Sequence, residues 1–479
     1  MQLRLTMLDQ ADRDAIHTKA LEILESVGIR FGSKKICDLL HQSGCKIDWK
    51  TLSAQIPASL VESGLATLPS QFTLAAADPS KDIAAGAGDP WYTAAARSPW
   101  FRDLETGARR PSTSSDLTAC ARLVDALDDV DEWCPMVVPT DVPAELQDLK
   151  SLETSLLHSS KHLLGGGATA QTLPFKWELL DAFLGSRDVL KERSLISHVQ
   201  TPISPLQSDG GATDLALEWA EYRAPLVLQF LPLAGATSPV TLAGTIAQET
   251  ASFLGHMAFY QLVSPGWPII WGAGAGILDM RSGRWAGMSP EAILMCLAMV
   301  EMAKTVYDIP VSVFGESTDA KDIGFQSGLE SVYADAILSL AGADNIWGPA
   351  DLDGATLVDL DYLVLTTEAI RQNKRLRAGV VFDDEHFLID AIRELRFSGD
   401  YLSHKSTARM FRKEHLLPDL FPRQTYKDWE SRGKSDAEVA RERRIQILHE
   451  HEPVEHPPET LREAKRIMKA AERQLVGGS

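Results

Sequence analysis

From Asp9 the apolar positions Ile16, Ala20, Leu21, Ile23, Leu24 and Val27 recur at three- and four-residue spacing. The pattern predicts an amphipathic helix capped by Asp9 and ended at Gly28. Ser33 opens a shorter helix carrying Ile36, Leu39 and Leu40, which stops at Gly44. Pro57, Pro69 and the small-residue stretch ADPSKDIAAGAGDP then break the pattern, so residues 1–85 read as a helical region packed on a larger domain. From 86 to 395 the period changes: short runs rich in β-branched residues alternate with helical patterns every 30 to 45 residues. The runs are CPMVVPT ending at Thr140, KHLLGGGAT from Lys161, SLISHVQT ending at Thr201, APLVLQF ending at Phe230, WPIIWGAG ending at Gly274, IPVSVFGE ending at Glu316 and ADNIWGPAD ending at Asp351. An eighth comes from WYTAAARSPWF or RAGVVFDD. Repeated β-α units of this kind predict an α/β fold, a (β/α)8 TIM-type barrel, with a doubly wound open sheet as the structural alternative. Residues 396–479 form a C-terminal helical extension, whose last stretch PPETLREAKRIMKAAERQLV places Leu461, Ile467 and Leu475 on one side.

Three strands share a local grammar. Pro225, Pro268 and Pro310 stand where the strands start, where a missing N–H is tolerated, and an aromatic residue stands where each ends: Phe230, Trp271 and Phe314. The next strand adds Trp347. Barrel strands end at the active-site face, so four consecutive strands are expected to deliver four rings to one rim, with Trp91 and Tyr92 from the preceding loop. Rings attract cations through their quadrupole and suit a quaternary ammonium, which has no N–H to donate. The competing reading is that such rings plug the barrel as core. Glycines mark the same edge: Gly165, Gly166 and Gly167 end one strand, and Gly272, Gly274 and Gly276 stand at the end of another. The GAGAG run lacks the spacing of a dinucleotide fingerprint.

Composition narrows the partners. Lys and Arg number 47 against 66 Asp and Glu, a net charge of −19, which argues against nucleic acid and anionic membrane as partners. No run reaches the length of a membrane span and the first residues lack a signal-peptide centre, so a cytoplasmic protein is expected. Five scattered cysteines never form a C-x-x-C pair, and His158 with His162 makes a poor zinc pair because His162 falls where a strand begins. No metal of its own is expected.

The segments LPLAGATSPVTLAG (231–244), QLVSPGWPIIWG (261–272), ESTDAKDIGFQSGLES (316–331) and LAGADNIWGPADLDG (340–354) resemble the trimethylamine:corrinoid methyltransferase superfamily. LEILESVGIRF and DLETGARRPSTSSD resemble its N-terminal region, and YKDWESRGKSDAEVARERRIQILHEHEP resembles its C-terminal tail. The resemblance covers nearly the whole chain. It implies a barrel that passes a methyl group from an amine to the cobalt of a corrinoid (cobalamin) carried by a separate corrinoid-binding protein. Because the chain carries no pyrrolysine, it is similar to the branch acting on quaternary amines such as glycine betaine. A homo-oligomer is also expected.

On that resemblance the substrate cage is assigned to Trp91, Tyr92, Phe230, Trp271, Phe314 and Trp347, the corrinoid edge to Gly165, Gly166, Gly167 and Gly274, and a charge-balancing catalytic carboxylate to Glu316. Arg223, Arg281 and Arg284 are candidates for a substrate carboxylate. Trp347 stands where the family pattern leads one to expect His, which implies a differently shaped amine. The alternatives are a non-catalytic quaternary-ammonium-binding protein, a methyltransferase with another acceptor, and a metal-assisted hydrolase, which needs His or carboxylates at the strand ends.

Overall fold

The computed structural model describes residues 4–94, 97–166, 169–397, 399–421, 423–452 and 454–477. The N-terminal region starts with α1 (Gln10–Ser26), whose cap is reciprocal: Asp9 accepts from the Asp12 backbone while the Asp12 side chain accepts from that of Asp9. Ser33 caps α2 (Lys34–Gln42) in the expected way, and α3 (Ala58–Thr67) comes next. This region is less purely helical than its periodicity suggests. It also holds a small antiparallel sheet around Ser53–Gln55 and a hairpin of Phe72–Leu74 with Ile83–Ala85.

Eight parallel strands then close a barrel in chain order. They are β1 (Trp91–Thr93), β2 (Glu132–Trp133), β3 (His162–Gly166), β4 (Ile196–Gln200), β5 (Leu226–Phe230), β6 (Ile269–Ala273), β7 (Val311–Phe314) and β8 (Asn345–Trp347). After them come, in turn, α4 (Ser114–Ala126), α5 (Gln147–His158), α6 (Leu173–Leu184), α7 (Gly210–Ala216), α8 (Leu242–Val263), α9 (Pro290–Met302), α10 (Phe325–Ala341) and α11 (Leu360–Ala378). β8 pairs with β1, and β1 with β2, so the sheet has no edge and the open doubly wound alternative falls away.

One open strand assignment is resolved and one changes. WYTAAARSPWF supplies β1, while RAGVVFDD forms no strand and runs from the end of α11 into the cap of a short helix. The second strand is Glu132–Trp133, and CPMVVPT lies just beyond it at the barrel mouth. Pro225, Pro268 and Pro310 directly precede β5, β6 and β7, as their missing N–H allows.

The hairpin closes the floor. Leu74 and Ile83 join Trp91, Leu164, Val227, Ile270 and Trp347 in one apolar cluster inside the barrel, separate from the larger core between strands and helices. Beyond the barrel come α12 (Asp384–Phe387), α13 (Ile389–Leu395), α14 (Lys405–Glu414), α15 (Tyr426–Arg432), α16 (Asp436–Glu450) and α17 (Pro458–Leu475). α17 buries Ala464, Ile467 and Ala471 and packs on α6, whereas Leu461 stays partly exposed. Among the described residues no helix is long and apolar enough to cross a membrane.

Candidate functional site

Pleating decides which predicted ring can reach a ligand. Successive strand residues face opposite sides of the sheet, and the ladder pairs Trp271 with Leu228 and Val311, all three on the outer face. Trp271 stacks on Phe253 of α8, centroids 4.5 Å apart at 7°, and Phe230 meets His256 of the same helix at 5.7 Å. Tyr92 also faces outward and donates to Asp335 of α10 at 3.1 Å. These three rings are core between barrel and helices, which corrects their assignment to the cage. Phe314, Trp347 and Trp91 point inward. Phe314 and Trp347 meet edge to face, centroids 5.8 Å apart at 72°, and Trp285 from a loop hairpin packs on the other side of Phe314 at 5.9 Å.

Phe314 and Trp347 line a cavity of about 260 Å³. Its inner wall comes from the strand ends: Leu164 of β3, Val199 of β4, Gln229 of β5, and Cys134 just beyond β2. The cavity then passes the ends of β3 and β4 to reach Asp148 and Leu152 of α5, Lys176 of α6 and Trp219. Arg97 closes it from the loop after β1 and pairs with Asp148 at 2.7 Å. Burial lowers Lys176 to about 8, opposed by the Asp148 carboxylate, so its ammonium is charged at neutral pH. His198, stacked on Trp219 at 5.4 Å, is pushed down by burial to about 3 and is neutral.

Below the cavity the interior is polar and closed. Glu132 Oε2 accepts from Trp91 Nε1 at 3.3 Å, from Asn345 Nδ2 at 3.1 Å and from the Thr93 hydroxyl. Ser312 donates to Asn345 at 3.1 Å, and Asn345 also donates to Thr93 at 2.8 Å. His162 Nδ1 lies 2.8 Å from the Ala75 carbonyl, which only accepts, so Nδ1 carries the proton and Nε2 accepts from Ser197 at 2.6 Å. His162 is therefore a satisfied barrel residue, and among the described residues no group of His, Cys, Asp and Glu is placed to hold a metal ion. Trp91 belongs to this floor, not to the cavity wall.

Glu316 is not where a counter-charge for the cavity would stand. It lies two residues beyond the end of β7, and the turn there places its buried carboxyl beside Asp335 of α10, where burial holds it well above the usual carboxylate range. It does not line the cavity, and its assignment as the catalytic carboxylate is corrected accordingly. Among the glycines, Gly165 lines the cavity and Gly166 ends β3, while Gly167 lies outside the described residues. Gly274 makes room for its neighbours: a Cβ there would stand 2.5 Å from the Phe230 carbonyl oxygen and 2.7 Å from Gln229 Nε2. Arg281 pairs with Asp279 and Arg284 with Asp353; with Arg223 they lie away from the cavity. Arg97, Asp148, Lys176 and Trp219 line it without any local sequence signal, because only the packing of the loop after β1, of α5 and α6, and of the helical turn after α7 brings them together.

A closed (β/α)8 barrel with a ring-walled cavity at the C-terminal ends of its strands has the architecture of a barrel enzyme. The sequence assigns it further: residues 2–474 match the trimethylamine methyltransferase (MTTB) family, and the chain belongs to that family. It is 28% identical over 459 residues to the trimethylamine methyltransferase MttB of Desulfitobacterium hafniense, covering 96% of this chain and 92% of that one. To a glycine betaine methyltransferase of the same species it is 26% identical over 458 residues, covering 95% of each. The monomethylamine methyltransferase MtmB of Methanosarcina barkeri shares the fold, with a TM-score of 0.52 at 12% identity over 94% of this chain and 96% of that one.

Proposed function

We propose that this methyltransferase takes its methyl group from a quaternary amine of the betaine type and passes it to the cobalt of a corrinoid carried by a separate protein. The observation that carries the reading is the edge-to-face pair of Phe314 and Trp347 on the wall of the mouth cavity. Two ring faces attract an N-methylated cation without requiring an N–H, and each contact is worth about 0.5–2 kcal/mol as the site dries. The relative named for glycine betaine supports the donor class.

The chemistry asks little of acids or bases. The methyl carbon–nitrogen bond breaks with its electron pair leaving on nitrogen, so the cation departs as a neutral tertiary amine and no proton is needed. The reduced cobalt acceptor supplies the pair for the new bond. The chain's contribution is to hold the cation against the rings, exclude water and aim one methyl at the open mouth, and such positioning can account for several kcal/mol of the barrier. Among the described residues the single carboxylate on the cavity wall, Asp148, is already paired with Arg97 and is not required as a general acid.

Incubation of the protein with cobalamin reduced to the Co(I) state and a panel of glycine betaine, tetramethylammonium and trimethylamine tests this. Methylated cobalamin and the matching tertiary amine are expected in equal amounts from the quaternary donors. Tight binding with no transfer from any donor would leave a cation-binding protein and overturn the proposal.

A further inference from the structure

Phe314 is only half-buried at the last position of β7, and Gly315 after it offers no side chain to pack against. Trp347, its partner across the ladder, supports one side of the ring. The other side is supported from outside the barrel. Trp285, on the strand Arg284–Ala286 of the mouth hairpin, meets Phe314 with centroids 5.9 Å apart at 75°, yet it stands off the cavity wall. It is placed to set the direction of a ring that does line the cavity.

The indole of Trp285 has little freedom of its own. A Cβ at Gly276 would stand 2.5 Å from its Cδ1, and a Cβ at Gly287 2.6 Å from its Cη2, so these two glycines let the backbone close on both edges of the indole. Gly354, beyond β8, approaches from a third direction: a Cβ there would come within 3.7 Å of Cε3. Arg284, the neighbour of Trp285, pairs with Asp353 at 2.6 Å, and Lys321 from the loop after β7 reaches the same carboxylate at 3.1 Å. The slot that holds the indole is thus tied to the segments following β6, β7 and β8.

Resting on the quaternary-amine reading, we infer that Trp285 is a positioning residue, which holds the Phe314 ring against the cavity so that it and Trp347 together receive the N-methylated cation. With the slot emptied, the ring turns into the vacated space and its contact with the cation is lost. The loss falls on recognition of charge, because a neutral group of the same shape gains nothing from the ring quadrupole.

Two ligands of one shape read that charge recognition. Glycine betaine and 3,3-dimethylbutanoate, in which carbon replaces the cationic nitrogen, are titrated calorimetrically into the wild type and its variants. The wild type is expected to favour glycine betaine about tenfold. Trp285→Ala should lower that ratio about three- to tenfold while 3,3-dimethylbutanoate binds as before, and Trp285→Phe, which returns a ring to the slot, should keep most of it. Phe314→Leu should show the same loss, and adding Trp285→Ala to it should lose nothing more, because Trp285 acts through that ring. Trp285→Leu, which fills part of the slot, should lose a smaller share and serves if the Ala variant fails to fold. An unchanged ratio in Trp285→Ala and Trp285→Leu would overturn the positioning role and leave the quaternary-amine reading intact. Equal weakening of both ligands, or additive losses in the double variant, would make Trp285 a packing residue and overturn the role likewise. A wild type that binds 3,3-dimethylbutanoate as tightly as glycine betaine would instead overturn the quaternary-amine reading itself.

Discussion

Glu132 is a titratable group buried inside the barrel. Burial raises its carboxyl, three donated hydrogen bonds from Thr93, Trp91 and Asn345 pull it back, and the balance stands at about 7. All three donors reach Oε2, which leaves Oε1 to carry the proton on the side of His162, 3.8 Å away and neutral because burial lowers it to about 4. The folded value lies above the ordinary one. Stability from Glu132 is therefore fully present below about pH 4.5 and is lost as pH rises through about 7, on the order of 3 kcal/mol at high pH. Glu132→Gln keeps an acceptor for the three donors and removes the titration. Urea melts of both proteins at about pH 5 and pH 9 should show the wild type losing more stability than the variant by roughly that amount. Parallel losses would mean that Glu132 stays ionised in the folded protein.

At the scale of the strand, pleat and register explain what could be read from sequence and what could not. Proline before β5, β6 and β7, β-branched runs and the 30-to-45-residue repeat are local signals, and they located most of the barrel. The facing of a ring is not local. Phe230 ends β5 as Phe314 ends β7, and Trp271 stands in the middle of β6, yet Phe230 and Trp271 face helices while Phe314 faces the cavity, because the strands enter the ladder with different offsets. Gly272 belongs to the same ladder, opposite Gln229, and a Cβ there would stand 2.6 Å from Gln229 Oε1 and 2.8 Å from Gln229 Cα. The side-chain amide can swing away but the Cα cannot. Gly272→Ala is therefore expected to cost about 1–3 kcal/mol and to disturb the cavity wall that Gln229 forms. A denaturant midpoint equal to that of the wild type, with unchanged ligand affinity, would show that β5 and β6 separate freely.

Over the whole molecule, a barrel built in chain order has one seam, where β8 meets β1, and no covalent connection crosses it directly. The helices flanking that seam are α11 and α4, and α16 packs on both. Arg444 of α16 is buried and donates to Asp361 of α11 at 2.6 Å, with Arg441 at 3.3 Å on the more exposed side, while Arg122 of α4 donates to the Leu448 carbonyl of α16 at 3.1 Å. The C-terminal extension, expected from sequence as helical, thus works as a strap over the closure, a role with no local sequence signal because the partners of its arginines lie far away in the chain. Removing one member of a buried ion pair strands the other. Arg444→Met is therefore expected to lower stability by about 3 kcal/mol, softened where Arg441 can still reach Asp361. Arg444→Met combined with Asp361→Leu leaves no stranded charge and should recover to within about 1 kcal/mol of the wild type. Urea melts of the two variants decide between a pair that holds the seam and one that merely decorates it: a single variant as stable as the wild type, or a double variant no better than the single, would place the strap's contribution in its apolar contacts instead.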